Sequence, residues 1–245
     1  MFLLCLYVDD LLVTKSNSKA IEEFKEIVKD EFEMTYLGKL SYFLGIKFTK
    51  TKEGLLMHQK KYVGEVIRMY NMVDCNPTVT PIGCNAKLGT ETEEELDDST
   101  LFKQVVASLR YLCNTRPDIF YSVGVISRLM ENPRKSHWLA AKKIMRYIKG
   151  TFEYEILFAT EIKQENGNLV GYSDSDWCRD KGDRRSTKGY LIKFMKTPIA
   201  RSSMKQPVIA LSSCEVEYIA GSYAACQALW LESLIAELKI EMCKG

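Results

Sequence analysis

The sequence has no apolar run long enough to cross a bilayer: the longest, Phe2 to Val8, falls far short of the roughly 20 residues a spanning helix needs. It also lacks the basic flank of a secretory signal, so the expected setting is intracellular, cytoplasmic or nuclear, with no membrane partner. Histidine is scarce, two in 245 residues, and the eight cysteines are spread singly with no Cys-x-x-Cys pair, which argues against a zinc site. Free thiols buried in a reducing compartment are the expectation for them. Low-complexity and collagen-like readings fall away as well. With 46% hydrophobic and 27% charged residues, the chain has enough apolar surface to offset its ordering entropy, and disorder is excluded.

A net charge of +2 hides an uneven distribution. Arg128 to Lys149 holds seven basic residues against Glu131 alone, and Arg179 to Lys205 holds nine against Asp180 and Asp183. Two such tracts on a near-neutral chain suggest contact with a polyanion, against the alternative of a solvated helix face and loop. Between the domains of interest, Asn76 to Gly89 is turn-rich, with Pro77, Pro81 and Gly83, and is followed by the acidic run Glu91 to Asp98. That stretch reads as a connector.

Periodicity gives an α+β order of elements. Phe2 to Val8 and Leu11 to Val13 flank a polar turn and read as a β-hairpin with Asp9 and Asp10 near its tip. Ile21, Phe24, Ile27 or Val28, and Phe32 recur at helical spacing, with Ser18 as cap and Glu22 and Glu23 in the first turn. A second hairpin is expected from Phe43 to Thr49 and Leu55 to His58, then a short helix from Tyr62 to Tyr70. Three helices follow, over Thr100 to Leu112, Ile119 to Met130 and His137 to Lys149. Beyond Gly150, where a domain boundary is placed, short strands are expected at Tyr154 to Phe158, Asn168 to Ser173, Gly189 to Phe194 and Val208 to Leu211. A long helix closes the chain, with Val216, Ile219, Tyr223, Cys226, Trp230, Leu234 and Leu238 on its packed face. His58 and His137 read as surface or packing residues, and Trp138, Trp177 and Trp230 as core and strand-end packing.

Two groups of carboxylates could carry chemistry. Adjacent aspartates beside an apolar strand repel unless a cation holds them, and Mg²⁺, which prefers hard oxygen ligands, would suit Asp9 and Asp10. An ordinary acidic turn is the alternative. Asp174 ends the strand beginning near Asn168, and Glu217 lies in the first turns of the last helix; if that helix packs across the sheet, the two can converge on one metal. Glu215 is set aside because Ser212 and Glu215 fit a capping box, which turns that side chain back toward the helix start.

Tyr7-Val8-Asp9-Asp10 within LLCLYVDDLLV resembles the catalytic hairpin of reverse transcriptases. LGKLSYFLGI (Leu37 to Ile46), SLRYLCNTRPDI (Ser108 to Ile119), Ser127 to Thr151, YSDSDWCRD, DRRSTKGY (Asp183 to Tyr190) and ALSSCEVEYIA (Ala210 to Ala220) extend the likeness. Together they resemble the Pol polyprotein of copia-type LTR retrotransposons nearly end to end. The resemblance implies a partial reverse-transcriptase palm over 1–75, a connector and helical thumb-like region over 76–150, and the N-terminal part of a ribonuclease H-like α/β domain over 151–245. It implies catalytic and metal-binding roles for Asp9, Asp10, Asp174 and Glu217, with Mg²⁺ as cofactor. Tyr7 would stand beside the primer end, and Lys142, Lys143, Arg146, Arg184 and Arg185 would contact the nucleic acid, a primer-template or RNA/DNA hybrid.

The departures from the family pattern matter too. In the family a further polymerase aspartate and the fingers come from upstream of the hairpin, and a third ribonuclease H aspartate from a strand after the helix that holds Glu217. Arg201 stands where the family usually has tryptophan and Met204 where it usually has lysine, and Lys196-Thr197-Pro198 replaces a glycine-rich turn. These read as drift in an unselected copy. The expectation is a fragment whose parent performs RNA-directed DNA synthesis and RNA-strand cleavage, itself inactive; the alternative is a domesticated, non-catalytic nucleic-acid-binding protein.

Overall fold

A hairpin opens the chain because two five-residue apolar runs meet at a two-residue turn. In a computed structural model that describes residues 2–15, 17–83, 88, 98–159, 168–180 and 182–240, β1 (Leu3–Tyr7) pairs antiparallel with β2 (Asp10–Thr14), Tyr7 opposite Asp10. The acidic run from Glu91 to Asp97, Cys84 and Cys243 lie outside the described residues. The chain divides into two compact units, 1–43 and 44–245.

In the first unit, helix α1 (Ser18–Glu31) follows the hairpin, and a two-residue strand, β3 (Tyr42–Phe43), ends it. The cap of α1 is Asn17, whose side chain accepts from the Lys19 amide, not Ser18. Glu22 therefore falls beyond the first turn, where it pairs with Lys25 at 2.7 Å. None of the helix is fully buried, and Phe24 meets the hairpin through Phe2, their rings 5.3 Å apart. The hairpin is exposed despite its apolar composition, with Leu6 of β1 at 71% and Val8 of the turn at 78%.

The second unit has a helical core between two sheets. Strands β4 (Ile46–Lys50), β5 (Gly54–His58) and β6 (Ile156–Ala159) form an antiparallel run in that order, so the strand after Gly150 returns to pair with the hairpin near residue 50. Helices α2 (Lys60–Met69), α3 (Ser99–Leu112), α4 (Phe120–Ser127, entered through a 3₁₀ turn at Pro117–Ile119) and α5 (Lys135–Gly150) bury one apolar cluster. Phe102, Val105, Leu109, Ile126, Ile144, Met145 and Ile148 are its innermost side chains. Removing that much hydrocarbon from water, about 25 cal/mol per Å², is what fixes the four helices together. His137 is packed inside this cluster, where its Nδ1 accepts from the Arg134 amide at 2.9 Å and caps α5.

The second sheet is an antiparallel meander of β7 (Leu169–Ser175), β8 (Thr187–Phe194) and β9 (Thr197–Lys205), crossed by α6 (Ser213–Glu237). The expected strand at Val208 to Leu211 does not form. That segment is an irregular, bent approach to α6, and the strand is instead the more polar β9 just before it. The packed face of α6 also differs from expectation. Val216, Ala220, Ala224, Leu231 and Ile235 are buried, while Tyr223, Cys226 and Trp230 are exposed. Small residues at 220 and 224 let the helix axis approach the sheet, while Tyr218, Leu229 and Trp230 stay exposed.

The six described cysteines are free, and only Cys113 is fully buried; Cys5, Cys214 and Cys226 are exposed, against the expectation of buried thiols. Trp177 and Trp230 are likewise more than half exposed. No described helix is long and apolar enough to cross a membrane.

Candidate functional site

The turn of the first hairpin is built from Val8 and Asp9, with Tyr7 and Asp10 facing each other across its base. Register pairing puts Tyr7 and Asp10 on one side of the ribbon. Val8 adopts φ 51°, a conformation a β-branched residue rarely takes, so the tight turn carries backbone strain. Asp9 and Asp10 are both exposed, and neither makes a hydrogen bond or ion pair among the described residues. Two adjacent, unpaired, hard oxygen donors suit a divalent cation as part of a ligand set. They do not complete one: no three of the described His, Cys, Asp and Glu side chains cluster to hold a metal ion.

Asp174 lies on β7 and Glu217 in the first turns of α6, both in the second unit. Ser175 and Lys188 are register partners on the face that α6 covers, since the Lys188 ammonium lies over the Tyr223 ring. Gln206 ties the same edge down, donating at 3.1 Å to both Ser175 Oγ and the Val216 carbonyl. Asp174, one residue earlier and opposite Gly189, therefore belongs to the other face. There it lines a groove of about 690 Å³ with Tyr172, Asp176, Arg201 and the Pro117–Tyr121 corner. Glu217 lines a separate depression along the outside of α6, beside Tyr218 and Gly221. Glu215 does turn back, as its capping role requires: its carboxylate accepts from the Leu211 amide at 2.7 Å while Ser212 Oγ accepts from the Glu215 amide.

The basic residues differ in how far they are engaged. On α5, Arg146 donates to the Asn76 carbonyl at 2.5 Å, and Lys149 to the carbonyls of Val73 and Cys75. These two side chains pin the segment leaving α2 against the helix, a structural use that composition alone did not reveal. Lys142 and Lys143 are half-buried, Lys142 with its ammonium 5.3 Å from the Trp138 ring. In the β7–β8 loop, Arg184 and Arg185 are exposed; Arg184 sits at φ 59°, and Arg185 stands 3.8 Å from the Asp183 carboxylate. The loop is held from below by Lys205, which reaches Asp180 at 2.5 Å and Asp183 at 2.8 Å. Burial raises the Asp180 carboxyl, but the hydrogen bonds from Lys205 and the Gly182 amide outweigh it and hold it below the usual range; at Asp183 the Lys205 hydrogen bond dominates, to the same end.

Sequence reasoning missed what Arg201 does. From the middle of β9 its guanidinium donates to the Cys113 carbonyl and stacks on Phe120 at 5.1 Å. It thus joins the second sheet to the corner between α3 and α4. The signal was present as a departure from the family pattern, but its partner lies 88 residues away and no local pattern announces it.

Comparison with known proteins agrees with the hairpin. A reverse transcriptase (RNA-dependent DNA polymerase) family profile matches residues 1–84. The chain is 34% identical over 238 residues to the retrovirus-related Pol polyprotein from transposon RE2 of Arabidopsis thaliana, covering 97% of this chain and 16% of the polyprotein. It is 36% identical over 245 residues to that from transposon TNT 1-94 of Nicotiana tabacum, covering 96% of this chain and 18% of the polyprotein. An uncharacterised mitochondrial protein of Arabidopsis thaliana is 34% identical over 230 residues, covering 94% of both chains. The chain thus spans less than a fifth of the length of the polyproteins it matches. No solved structure matches it.

Proposed function

This chain belongs to the Pol polyproteins of copia-type retrotransposons, and we propose that it is the part running from a reverse-transcriptase palm into a ribonuclease H-like region. On this reading 1–75 derives from the palm, 76–150 from a connector and thumb-like helical region, and 151–245 from the ribonuclease H-like domain. The parent would carry out RNA-directed DNA synthesis and cleave the RNA strand of RNA/DNA hybrids. Its substrates are then a primer-template and a hybrid, both polyanions.

The observation that carries the reading is the Tyr7–Asp10 turn, whose two carboxylates stand exposed and without partners. Asp9 and Asp10 would hold Mg²⁺, with Tyr7 beside the primer end. Such an ion, when bound, stabilises the charge that builds on a transferring phosphoryl group. Asp174 and Glu217 are, on this reading, the carboxylates of the second activity. With no three ligating side chains gathered among the described residues, the chain is expected to bind nucleic acid without turning it over. The exposed Arg184 and Arg185 and the half-buried Lys142 and Lys143 supply phosphate contacts; Arg146 is already engaged with the backbone.

Binding to a labelled primer-template across a salt series tests this. The expected result is an affinity that falls steeply as salt rises, is lowered by Arg184→Ala with Arg185→Ala, and is retained in Asp9→Asn. An affinity independent of salt, or unchanged when both arginines are removed, would overturn it.

A further inference from the structure

β7 and β9 are the two edges of the second sheet, and only one of them is guarded. Proline, basic side chains and a break in register keep a strand edge from pairing with another chain. β9 has all three: Pro198, then Arg201 and Lys205, and a register against β8 that shifts between Ile192 and Lys193. It also lies against the rest of the unit, where Thr197 Oγ1 donates to the Leu157 carbonyl at 2.7 Å and a Cβ on Gly124 of α4 would stand 3.8 Å from the Ser203 carbonyl. β7 has no such guard. It carries no proline, lysine or arginine, and its register against β8 is regular from Leu169 to Ser175. Val170 to Asp174 are exposed, and a Cβ on Gly171 would meet nothing within 4 Å.

The hydrogen-bond phase says which backbone groups are open. Asp176 donates its amide to the Thr187 carbonyl and the Asn168 carbonyl accepts from the Met195 amide, both at 3.1 Å, so the even-numbered residues between them face β8. The amides and carbonyls of Leu169, Gly171, Ser173 and Ser175 then point out of the sheet edge, and these four are symmetric about Tyr172. An antiparallel second strand of the same sequence, centred there, pairs Leu169 with Ser175 and Gly171 with Ser173 and uses all seven residues of β7. Tyr172, 54% exposed, meets its own copy, and Asp174 meets Val170. A centre at Asp174 would instead set two carboxylates face to face. The charges fit the first arrangement. Lys193 is the register partner of Val170, which puts Lys193, Val170 and Asp174 of the second copy in one row on one face. Neither Lys193 nor Asp174 has an oppositely charged partner among the described residues.

We infer that the β7 edge docks a second copy of this chain, joining two three-stranded sheets into one across a two-fold axis at Tyr172. This inference rests on the sheet edge alone; it needs neither a metal, nor a nucleic acid, nor turnover.

The test is sedimentation velocity of the full chain from low to high micromolar concentration, where a reversible monomer–dimer equilibrium is expected. Tyr172→Lys sets two ammonium groups against each other at the axis and is expected to weaken association about tenfold, as is Tyr172→Glu. Mixing these two variants is expected to restore the dimer, because the axis then carries opposite charges. Ser173→Pro, which removes an outward amide and leaves the ladder to β8 intact, is expected to abolish association. A chain that stays monomeric at high micromolar concentration would overturn the proposal. So would a dimer that persists in Tyr172→Lys, which would place association on another surface such as the β1–β2 hairpin or the outer side of α6. Failure of the mixed variants to associate, each with a wild-type thermal midpoint, would overturn it as well, since Tyr172 would then not lie on the axis.

Discussion

Arg116 grips Asp118 through two parallel hydrogen bonds, Nε to Oδ1 at 2.9 Å and Nη2 to Oδ2 at 2.6 Å. The same guanidinium donates to the Thr151 carbonyl and hydroxyl, closing the exit of α5 onto the corner that opens α4. Arg116 is 2% exposed while the Asp118 side chain keeps 27% of its surface in solvent, so the pair is partly desolvated and bidentate, a geometry in which an ion pair has structural consequence. Burial pulls the Asp118 carboxyl upward, but the hydrogen bond and charge of Arg116, together with the Tyr147 hydroxyl, outweigh it and hold it below the ordinary value. Tyr147, pressed by burial and by Asp118, is pushed up to about 12.

Breaking the pair from one side is therefore costly. Arg116→Ala is expected to lower unfolding free energy by about 3–5 kcal/mol, because it strands a partly buried carboxylate. Because Asp118 titrates lower in the folded chain than in the unfolded one, its contribution is present above the unfolded pKa and is lost as pH falls through the folded pKa. Urea titrations of wild type and Asp118→Asn from neutral pH downward should show the difference between them shrinking across that acidic window. A difference independent of pH would contradict the assignment.

The strained turn of the first hairpin makes an opposite kind of statement. Val8 is at φ 51° while Asp9 is not in the left-handed region, the sign pattern of a II′ turn, where glycine is preferred at the first central position. Val8→Gly should relieve about 1 kcal/mol of strain and slow amide exchange in β1 and β2. Faster exchange in that variant would show that the valine side chain, though 78% exposed, holds the turn by some other means.

Gly54 fixes the strand that joins the two ends of the second unit. Its φ of 153° and its place opposite Ala159 leave no room for a side chain, since a Cβ would stand 2.1 Å from the Phe158 carbonyl. Gly54→Ala is expected to unpair β6 from β5 and to lower stability by about 3 kcal/mol or more, within the range of mutations that force a backbone shift. Equilibrium denaturation measures it, and a loss below about 1 kcal/mol would mean the two strands separate at little cost.

The elements that could be read from the sequence are those whose partners are local. The first hairpin, the pair β4 and β5, and the helices of the core announce themselves through alternation or helical spacing within a dozen residues. β9 did not, because Arg201, Ser202, Ser203 and Lys205 give it a polar composition, while the apolar Val208 to Leu211 next to it drew the assignment. α6 is apolar all round, so its periodicity could not say which side would face the sheet. At the candidate site the Asp9–Asp10 turn was legible for the same local reason. The side on which Asp174 lies was not, since it depends on which face of β7 the helix covers, and a shift of one residue along a strand reverses that face.

The most direct test of the account is turnover by the isolated chain with Mg²⁺, read as primer extension on an RNA template and as cleavage of the RNA strand in a hybrid. Neither activity is expected above the level of the Asp10→Asn and Glu217→Gln variants, because among the described residues no three ligating side chains gather to hold a metal ion. Extension abolished by Asp10→Asn, or cleavage abolished by Glu217→Gln, would contradict it.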